Sequence, residues 1–307
     1  MTFPAAEGKR PGMNAIGVVG LGLMGRACVA RLRAAGMEVL GFDIDPGKAL
    51  LAESEGATSA HSLADLGTRC RAIALTVFDT AQVETVIEGR DGLMQAFEGL
   101  DAAPVVLCLS TCDPDRLAAL DHRCRERGLR LVEVPISGSS LQFARGEGVG
   151  LVGGNPEAIA AAGDVLDALC PRRHSLGPVG NGSRAKLAVN LILGLNRAAL
   201  AEGLVFAERL GLGRGALLAV ARQSAAYSQV MDVKGDLMAA SVFDRPQSKV
   251  DQSLKDFRLM IEQAAQSGQR LPFAEVNARL LGECVARGEG ALDNAIVVEA
   301  IARMRSD

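Results

Sequence analysis

Short apolar runs alternate with helically spaced segments through the first half of the chain. Ile16–Gly20, Val39–Asp43, Ala72–Val77, Val105–Leu109, Leu131–Ile136 and Val149–Gly153 are rich in β-branched and aliphatic residues and predict strands. Gly25–Ala35, Pro46–Glu55, Thr80–Glu88, Pro114–Arg127 and Pro156–Leu169 carry helical spacing between them. Pro46, Pro114 and Pro156 stand near helix starts, where a missing N–H costs nothing. Strands interleaved with helices predict a doubly wound, Rossmann-like α/β domain over residues 14–176.

The strand signal ends near Gly177. A helical pattern runs from Ser183 to Leu210, followed by others at Gly215–Gln223, Val250–Gln266, Pro272–Arg287 and Leu292–Arg303. Residues 177–307 therefore read as an all-α C-terminal domain, led by a long interdomain helix over about 183–210. Leu187, Val189, Leu191, Ile192, Leu193, Leu195, Leu200 and Leu204 make that helix apolar almost all round, a pattern that requires burial on every side. At 1.5 Å per residue it reaches about 40 Å, more than a half-size domain covers easily. A second subunit is expected to complete its cover, in a homodimer or homotetramer.

Composition narrows the function classes. Of 307 residues, 33 are basic and 36 acidic, a formal charge of −3 that argues against nucleic acid as a partner. The longest stretch without Asp, Glu, Lys or Arg is Pro11–Gly25, shorter than the roughly 20 apolar residues of a membrane span. Residues 1–12 lack the apolar core of a secretory signal and read as a polar leader, which predicts a cytoplasmic protein. Seven dispersed cysteines without a Cys-x-x-Cys pair predict free thiols in a reducing compartment. Cys108, Cys112, His122 and Cys124 fall close together, but Cys108 lies inside the apolar run Pro104–Leu109, so no metal is assigned. His61, His122 and His174 read as surface residues.

Gly20-Leu21-Gly22-Leu23-Met24-Gly25 follows the first predicted strand and opens a helix. Gly20 suits the tight turn, Gly22 the close approach of a pyrophosphate, and Gly25 the packing of helix on strand. The helix N-terminus, at Leu23 and Met24, offers N–H groups to phosphate. Asp43 ends the second strand, where a carboxylate accepts from ribose hydroxyls and repels a 2′-phosphate. Ile44 follows where a 2′-phosphate site would favour Arg, so NAD is expected over NADP. Asp43 as a cap of the next helix is the simpler alternative.

Lys186 and Asn190 lie four apart near the start of the long helix, on one face. Polar groups on an apolar helix need a partner or a wet cavity. A desolvated lysine has a lowered pKa suited to moving a proton while a hydride moves, and an interdomain salt bridge is the alternative role. Ser137-Gly138-Ser139, after the strand ending at Ile136, offers successive N–H groups and hydroxyls to a carboxylate. Ser139 reads equally as a helix cap.

Gly20–Gly25, Ser110-Thr111 ahead of Pro114, Pro135-Ile136-Ser137-Gly138, Gly180–Lys186 with Asn190, and Lys255-Asp256 occur in the order found in β-hydroxyacid dehydrogenases. The chain from Ile16 onward resembles that family, which includes 3-hydroxyisobutyrate dehydrogenase and tartronate semialdehyde reductase. The resemblance implies Lys186 as the proton donor and acceptor, with Asn190 on the substrate hydroxyl. It implies Ser137, Gly138 and Ser139 on the substrate carboxylate, and Thr111 and Lys255 near the nicotinamide. Val77 and Phe78 are candidates for packing on adenine or ribose, and Tyr227, the single tyrosine, for a pocket wall. Ser139, Gln142, Phe143 and Gly148 depart from the family's usual residues.

The leading expectation is hydride transfer between a nicotinamide and a small 3-hydroxy acid resembling 3-hydroxyisobutyrate. Alternatives are a four-carbon sugar acid such as threonate, an imine substrate, or a catalytically silent dinucleotide-binding oligomerisation module.

Overall fold

Alternate residues of the central strands face two separate cores. In β1 (Ala15–Val19), Ile16 and Val18 enter one cluster, and Ala15 and Val19 the other. In β4 (Cys70–Leu75), Ala72 and Ala74 oppose Ile73 and Leu75 in the same way. In β5 (Val105–Cys108), Val105 and Leu107 oppose Val106 and Cys108. Strands buried on both faces read as the continuous apolar runs seen in the sequence. The structure is a computed structural model that describes residues 15–98 and 103–304. The polar leader expected over residues 1–12 lies outside the described residues.

The remaining strands are β2 (Val39–Phe42), β3 (Thr58–Ser59), β6 (Arg130–Glu133), β7 (Ile136–Ser137), β8 (Val149–Gly154) and β9 (Arg172–Ser175). Their order is β3-β2-β1-β4-β5-β6-β8-β7, with β9 paired to β8. Neighbours from β3 to β6 are parallel, and β8 runs antiparallel to β6 and β7. Between them lie α1 (Leu23–Ala34), α2 (Pro46–Ser54), α3 (Leu63–Arg69), α4 (Thr80–Glu88), α5 (Leu93–Ala96), α6 (Pro114–Glu126), α7 (Ser140–Ala144), α8 (Pro156–Ala161) and α9 (Gly163–Leu169). This is the Rossmann-like doubly wound architecture, and the strand order reverses between β1 and β4, where such sheets bind ligands.

Two expected elements are divided. The run Leu131–Ile136 splits into β6 and β7 around Pro135, which has no N–H to give a ladder. The helix expected over Pro156–Leu169 breaks at Ala162, ahead of Gly163. The short elements β3, α3, α5, α7 and β9 have no apolar period to announce them. β9 is Arg-Arg-His-Ser on the sheet's edge.

Residues of the C-terminal half are helical, as expected. They form α10 (Asn181–Arg209), α11 (Arg214–Ala221), α12 (Gln229–Ala240), α13 (Val250–Gln266), α14 (Pro272–Ala286) and α15 (Val297–Arg303), with a 3₁₀ turn at Asn294–Ile296. The chain divides into two compact units, Met1–Lys186 and Leu187–Asp307. The break falls inside α10 rather than at Gly177, because the first turns of that helix are bonded to the β6–β7 segment.

In the second unit Leu187, Leu200, Ala201, Leu204 and Val205 of α10 pack with Leu218, Met238, Phe257, Leu281 and Val298. α10 is long and apolar enough to cross a membrane by length and composition, and 33% of its most apolar stretch is buried. Cover on every side is thus not achieved within one chain. Ile192 is 63% and Phe206 65% exposed, and Val189 and Leu193 are partly exposed beside them. The same unit buries the ion pair Lys234–Asp293, with Nζ 2.7 Å from Oδ2.

Candidate active site

The turn after β1 fits a dinucleotide phosphate. Gly20 has φ +88, and a Cβ there would lie 3.0 Å from the Thr76 backbone. A Cβ on Gly25 would sit 1.9 Å from the Gly20 carbonyl oxygen, so any side chain would separate helix from strand. A Cβ on Gly22 meets nothing within 4 Å, which leaves that face open to a ligand. Gly22 is the N-cap of α1 and supplies no side-chain cap, so the first-turn N–H groups at Leu23 and Met24 suit a pyrophosphate.

Asp43 is built into this turn. Its Oδ2 accepts from Leu21 N–H at 2.7 Å and its Oδ1 from Asp45 N–H at 2.9 Å. Each carboxylate oxygen keeps a second lone pair, so the residue fits a ribose hydroxyl while fixing the turn. The cap of α2 is Asp45, which accepts from Gly47 N–H at 2.9 Å. Lys48 Nζ lies 3.8 Å from Asp43 Oδ1, a cation that sequence reading passed over.

Val77 and Phe78 follow β4, and Phe78 is partly exposed. Ser110 and Thr111 follow β5, and Ser110 Oγ donates to the Val77 carbonyl at 2.8 Å, tying the two strand ends together. Thr111 is not the cap of α6. That role belongs to Asp113, which accepts from Asp115 and Arg116 N–H. Asp43, Gly20, Val77 and Ser110 stand in sheet order just past the carboxyl ends of β2, β1, β4 and β5.

Lys186 meets the start of β7. It is 8% exposed, and its Nζ donates to the Ile136 carbonyl at 2.6 Å, one residue before Ser137. The amine and the Ser137-Gly138 turn are therefore neighbours within one unit. Gly138 has φ +139, a backbone region open to glycine, and this turns the chain between β7 and α7. Ser139 takes the simpler of its two expected roles. Its Oγ accepts from Gln142 N–H, and its own N–H donates to Gln142 Oε1 at 2.9 Å. This capping box commits the Ser139 N–H and leaves Ser137 and Gly138 as the candidates for a carboxylate. Phe143, a departure from the family pattern, is fully buried in the core rather than facing a pocket. Gly148, beside it, makes room for Ile136: a Cβ there would lie 2.7 Å from Ile136 Cγ2.

Asn190 and Lys255 meet on a carboxylate in the second unit. Asn190 Nδ2 donates to Asp256 Oδ2 at 3.2 Å, and Lys255 Nζ is 3.0 Å from Asp256 Oδ1. Asp256 is 8% exposed, so Lys255-Asp256 is not the solvated pair its sequence suggests. Arg197, on the same side of α10 as Lys186 and Asn190, is also buried, and burial lowers its pKa to about 10 with Asp293 and Asp256 opposing the shift. Sequence reading named neither Asp256 nor Arg197 as a site residue. The signal was a charge in the middle of an apolar helix face. Tyr227 is 51% exposed, and its hydroxyl donates to Asp232 at 2.5 Å.

Comparison with known proteins follows the same division of the chain. Residues 15–177 match the family model of the NAD binding domain of 6-phosphogluconate dehydrogenase. Residues 180–301 match the model of the NAD-binding domain of NADP-dependent 3-hydroxyisobutyrate dehydrogenase. L-threonate dehydrogenase of Cupriavidus necator is 30% identical, over 92% of this chain and 95% of that protein. 2-Hydroxy-3-oxopropionate reductase of Escherichia coli is 27% identical, over 94% and 97%. The crystal structure of 3-hydroxyisobutyrate dehydrogenase from Salmonella typhimurium superposes with a TM-score of 0.83 at 25% identity, over 93% and 99%. The glycine turn, the amine beside the serine turn and these matches agree, and the chain is an NAD(P)-binding oxidoreductase of the β-hydroxyacid dehydrogenase family.

Proposed function

We propose that the protein is an NAD(P)-dependent dehydrogenase of a small 3-hydroxy acid, with Lys186 as its general acid–base. The observation that carries this reading is the 2.6 Å hydrogen bond from Lys186 Nζ to the Ile136 carbonyl, beside Ser137 and Gly138. Ser137 and Gly138 receive the substrate carboxylate, which sets the alcohol next to the amine. In oxidation the neutral amine takes the hydroxyl proton as the C–H bond gives up its hydride. In reduction the ammonium returns it. The Ile136 carbonyl holds the amine's direction in both states. Asn190, one turn further along α10, orients the hydroxyl and is itself held by Asp256. A bound nicotinamide supplies the hydride acceptor or donor, and Thr111 and Lys255 are assigned to it.

NAD is the preferred cofactor in this proposal, because Asp43 keeps a negative charge where a 2′-phosphate would lie. Lys48 beside it leaves a route to NADP, the cofactor named in the family model matched by the C-terminal residues. A four-carbon sugar acid such as threonate is the second reading, favoured by the likeness to L-threonate dehydrogenase. The exposed apolar residues Val189, Ile192, Leu193 and Phe206 on α10 support a homodimer or homotetramer. A cytoplasmic setting suits seven free, buried cysteines.

The test offers 3-hydroxyisobutyrate, glycerate, threonate and a cyclic imine with NAD+ or NADP+, or their reduced forms, and follows nicotinamide absorbance. A hydroxy acid is expected to turn over, and Lys186→Ala to cut kcat by more than about 100-fold while NADH binding stays. Full activity in Lys186→Ala overturns the lysine's role. NADH binding without turnover of any acid favours the silent module.

A further inference from the structure

Glu133 ends β6 with its side chain fully buried. A buried carboxylate is costly unless its lone pairs are filled. Four donors fill them, all from the start of the helix that carries Lys186. Oε1 accepts from Gly180 N–H at 2.5 Å and Gly182 N–H at 2.7 Å. Oε2 accepts from Ser183 N–H at 2.9 Å and Ser183 Oγ at 2.7 Å. The first-turn N–H groups of a helix have no partner within it and carry its positive end, so a carboxylate there both satisfies and complements them.

The surrounding sequence is shaped to admit this group. A Cβ on Gly153 would fall 2.3 Å from Glu133 Oε1, and one on Gly182 would fall 3.0 Å from Glu133 Cδ. Gly180 has φ +102 and brings its N–H onto the carboxylate. Three residues beyond Glu133, the Ile136 carbonyl receives the Lys186 amine at 2.6 Å. One short segment thus grips the helix twice: by its first turn through Glu133, and by the lysine one turn later through Ile136.

We propose that Glu133 is the positioning residue for Lys186: it fixes the rotation and axial position of the first turn of α10, which sets the amine against the Ile136 carbonyl beside the Ser137 turn. The proposal rests on the reading of Lys186 as the proton carrier. It adds that the lysine's placement depends on a carboxylate that touches neither substrate nor cofactor.

Glu133→Gln tests it. An amide in this place can turn its NH2 to the Ser183 hydroxyl but then faces the Ser183 N–H, so at least one of the four bonds becomes repulsive and the charge that complements the helix end is lost. The first readout needs no substrate. Lys186 acetylation by acetic anhydride is measured by peptide mass spectrometry relative to Lys48, whose side chain is 46% exposed. The ratio is expected to rise several-fold in Glu133→Gln, with NADH binding and cooperative unfolding retained. The second readout is kinetic: kcat falls about 100-fold, the scale of a misplacement of about 1 Å, while KM for the acid changes little. A ratio and a kcat equal to wild type overturn the proposal. If Glu133→Gln fails to unfold cooperatively, Ser183→Ala, which removes one of the four donors, is read instead. A raised ratio with reduced kcat supports the proposal, and wild-type values refute it. If Lys186→Ala itself retains turnover, the lysine chemistry fails, and the labelling ratio still decides whether Glu133 sets the amine's position.

Discussion

Asn190 of α10 donates to Asp256 of α13 at 3.2 Å, and the same carboxylate lies 3.0 Å from Lys255. One acid therefore holds both residues that the sequence assigned separately to substrate hydroxyl and nicotinamide. Asp256→Asn keeps the shape but sets an amide against the Asn190 amide. The expected result is about a tenfold rise in KM for the hydroxy acid, the scale of one hydrogen bond to a charged group, with a lowered melting temperature because Lys255 and buried Arg197 lose their counter-charge. Steady-state kinetics at saturating cofactor read this directly, and an unchanged KM removes Asp256 from the site.

Asp43 fixes the glycine turn through Leu21 N–H, and in the proposed function it also faces the ribose. Asp43→Ala would remove both functions, so Asp43→Asn is the sharper variant: its amide oxygen still accepts from Leu21 N–H. Losing the charge leaves Lys48, now 3.8 Å from the carboxylate, available to a 2′-phosphate. The ratio of kcat/KM for NAD+ over NADP+ is expected to fall about tenfold or more, a change of about 1.4 kcal/mol. An unmoved ratio would show that selectivity lies elsewhere.

Stability of the helical half depends on a buried charge pair. Lys234 Nζ lies 2.8 and 2.7 Å from the two oxygens of Asp293, which also accepts from Gln247 and Ala295 N–H. Burial lowers the Lys234 pKa, and Asp293 opposes that shift. Lys234→Met strands a fully buried carboxylate and is expected to cost about 3 kcal/mol in urea unfolding with the m-value unchanged. Asp293 also acts on the buried Arg197, so the activity of the folded variant at low temperature reads how far that charge reaches the proposed site.

All seven cysteines are buried and free. Burial raises the Cys170 thiol to about 11, and Cys70, Cys124 and Cys284 to about 12. The folded chain then keeps protons that the unfolded chain releases near its ordinary value of 9.0. Stability from these groups is therefore steady below about pH 8 and falls as pH rises through the interval up to about 12. A thiol reagent at pH 8 should count no reactive cysteines in the native protein and seven in urea. Rapid native labelling of any one would contradict its burial.

The sheet was legible because its strands are covered on both faces, and long apolar runs such as Val105–Leu109 follow from that. α4 and α13 were legible to the residue through their apolar spacing. Short elements were not: α7 is held by the Ser139–Gln142 cap and β9 by backbone pairing to β8. α12 was passed over because its apolar positions Val230, Met231 and Met238 are interrupted by Lys234 and Gly235, whose reasons are tertiary. The same holds in the site. The glycine turn and Lys186 carry local patterns, but Glu133 and Asp256 matter through residues distant in sequence. A lone acid in a strand does not reveal which amides it will meet.

The close packing of Gly148 on Ile136 ties a silent region of the interior to the proposed chemistry. A methyl group added at 148 would press on Ile136, the residue whose carbonyl aims the Lys186 amine. Alanine at this position would then look, in any functional screen, like damage to the catalytic apparatus, though the altered atom is apolar and enclosed. Alanine at 136, which keeps the carbonyl but removes the crowded methyl, should relieve it, so positions 136 and 148 are free to vary only in concert.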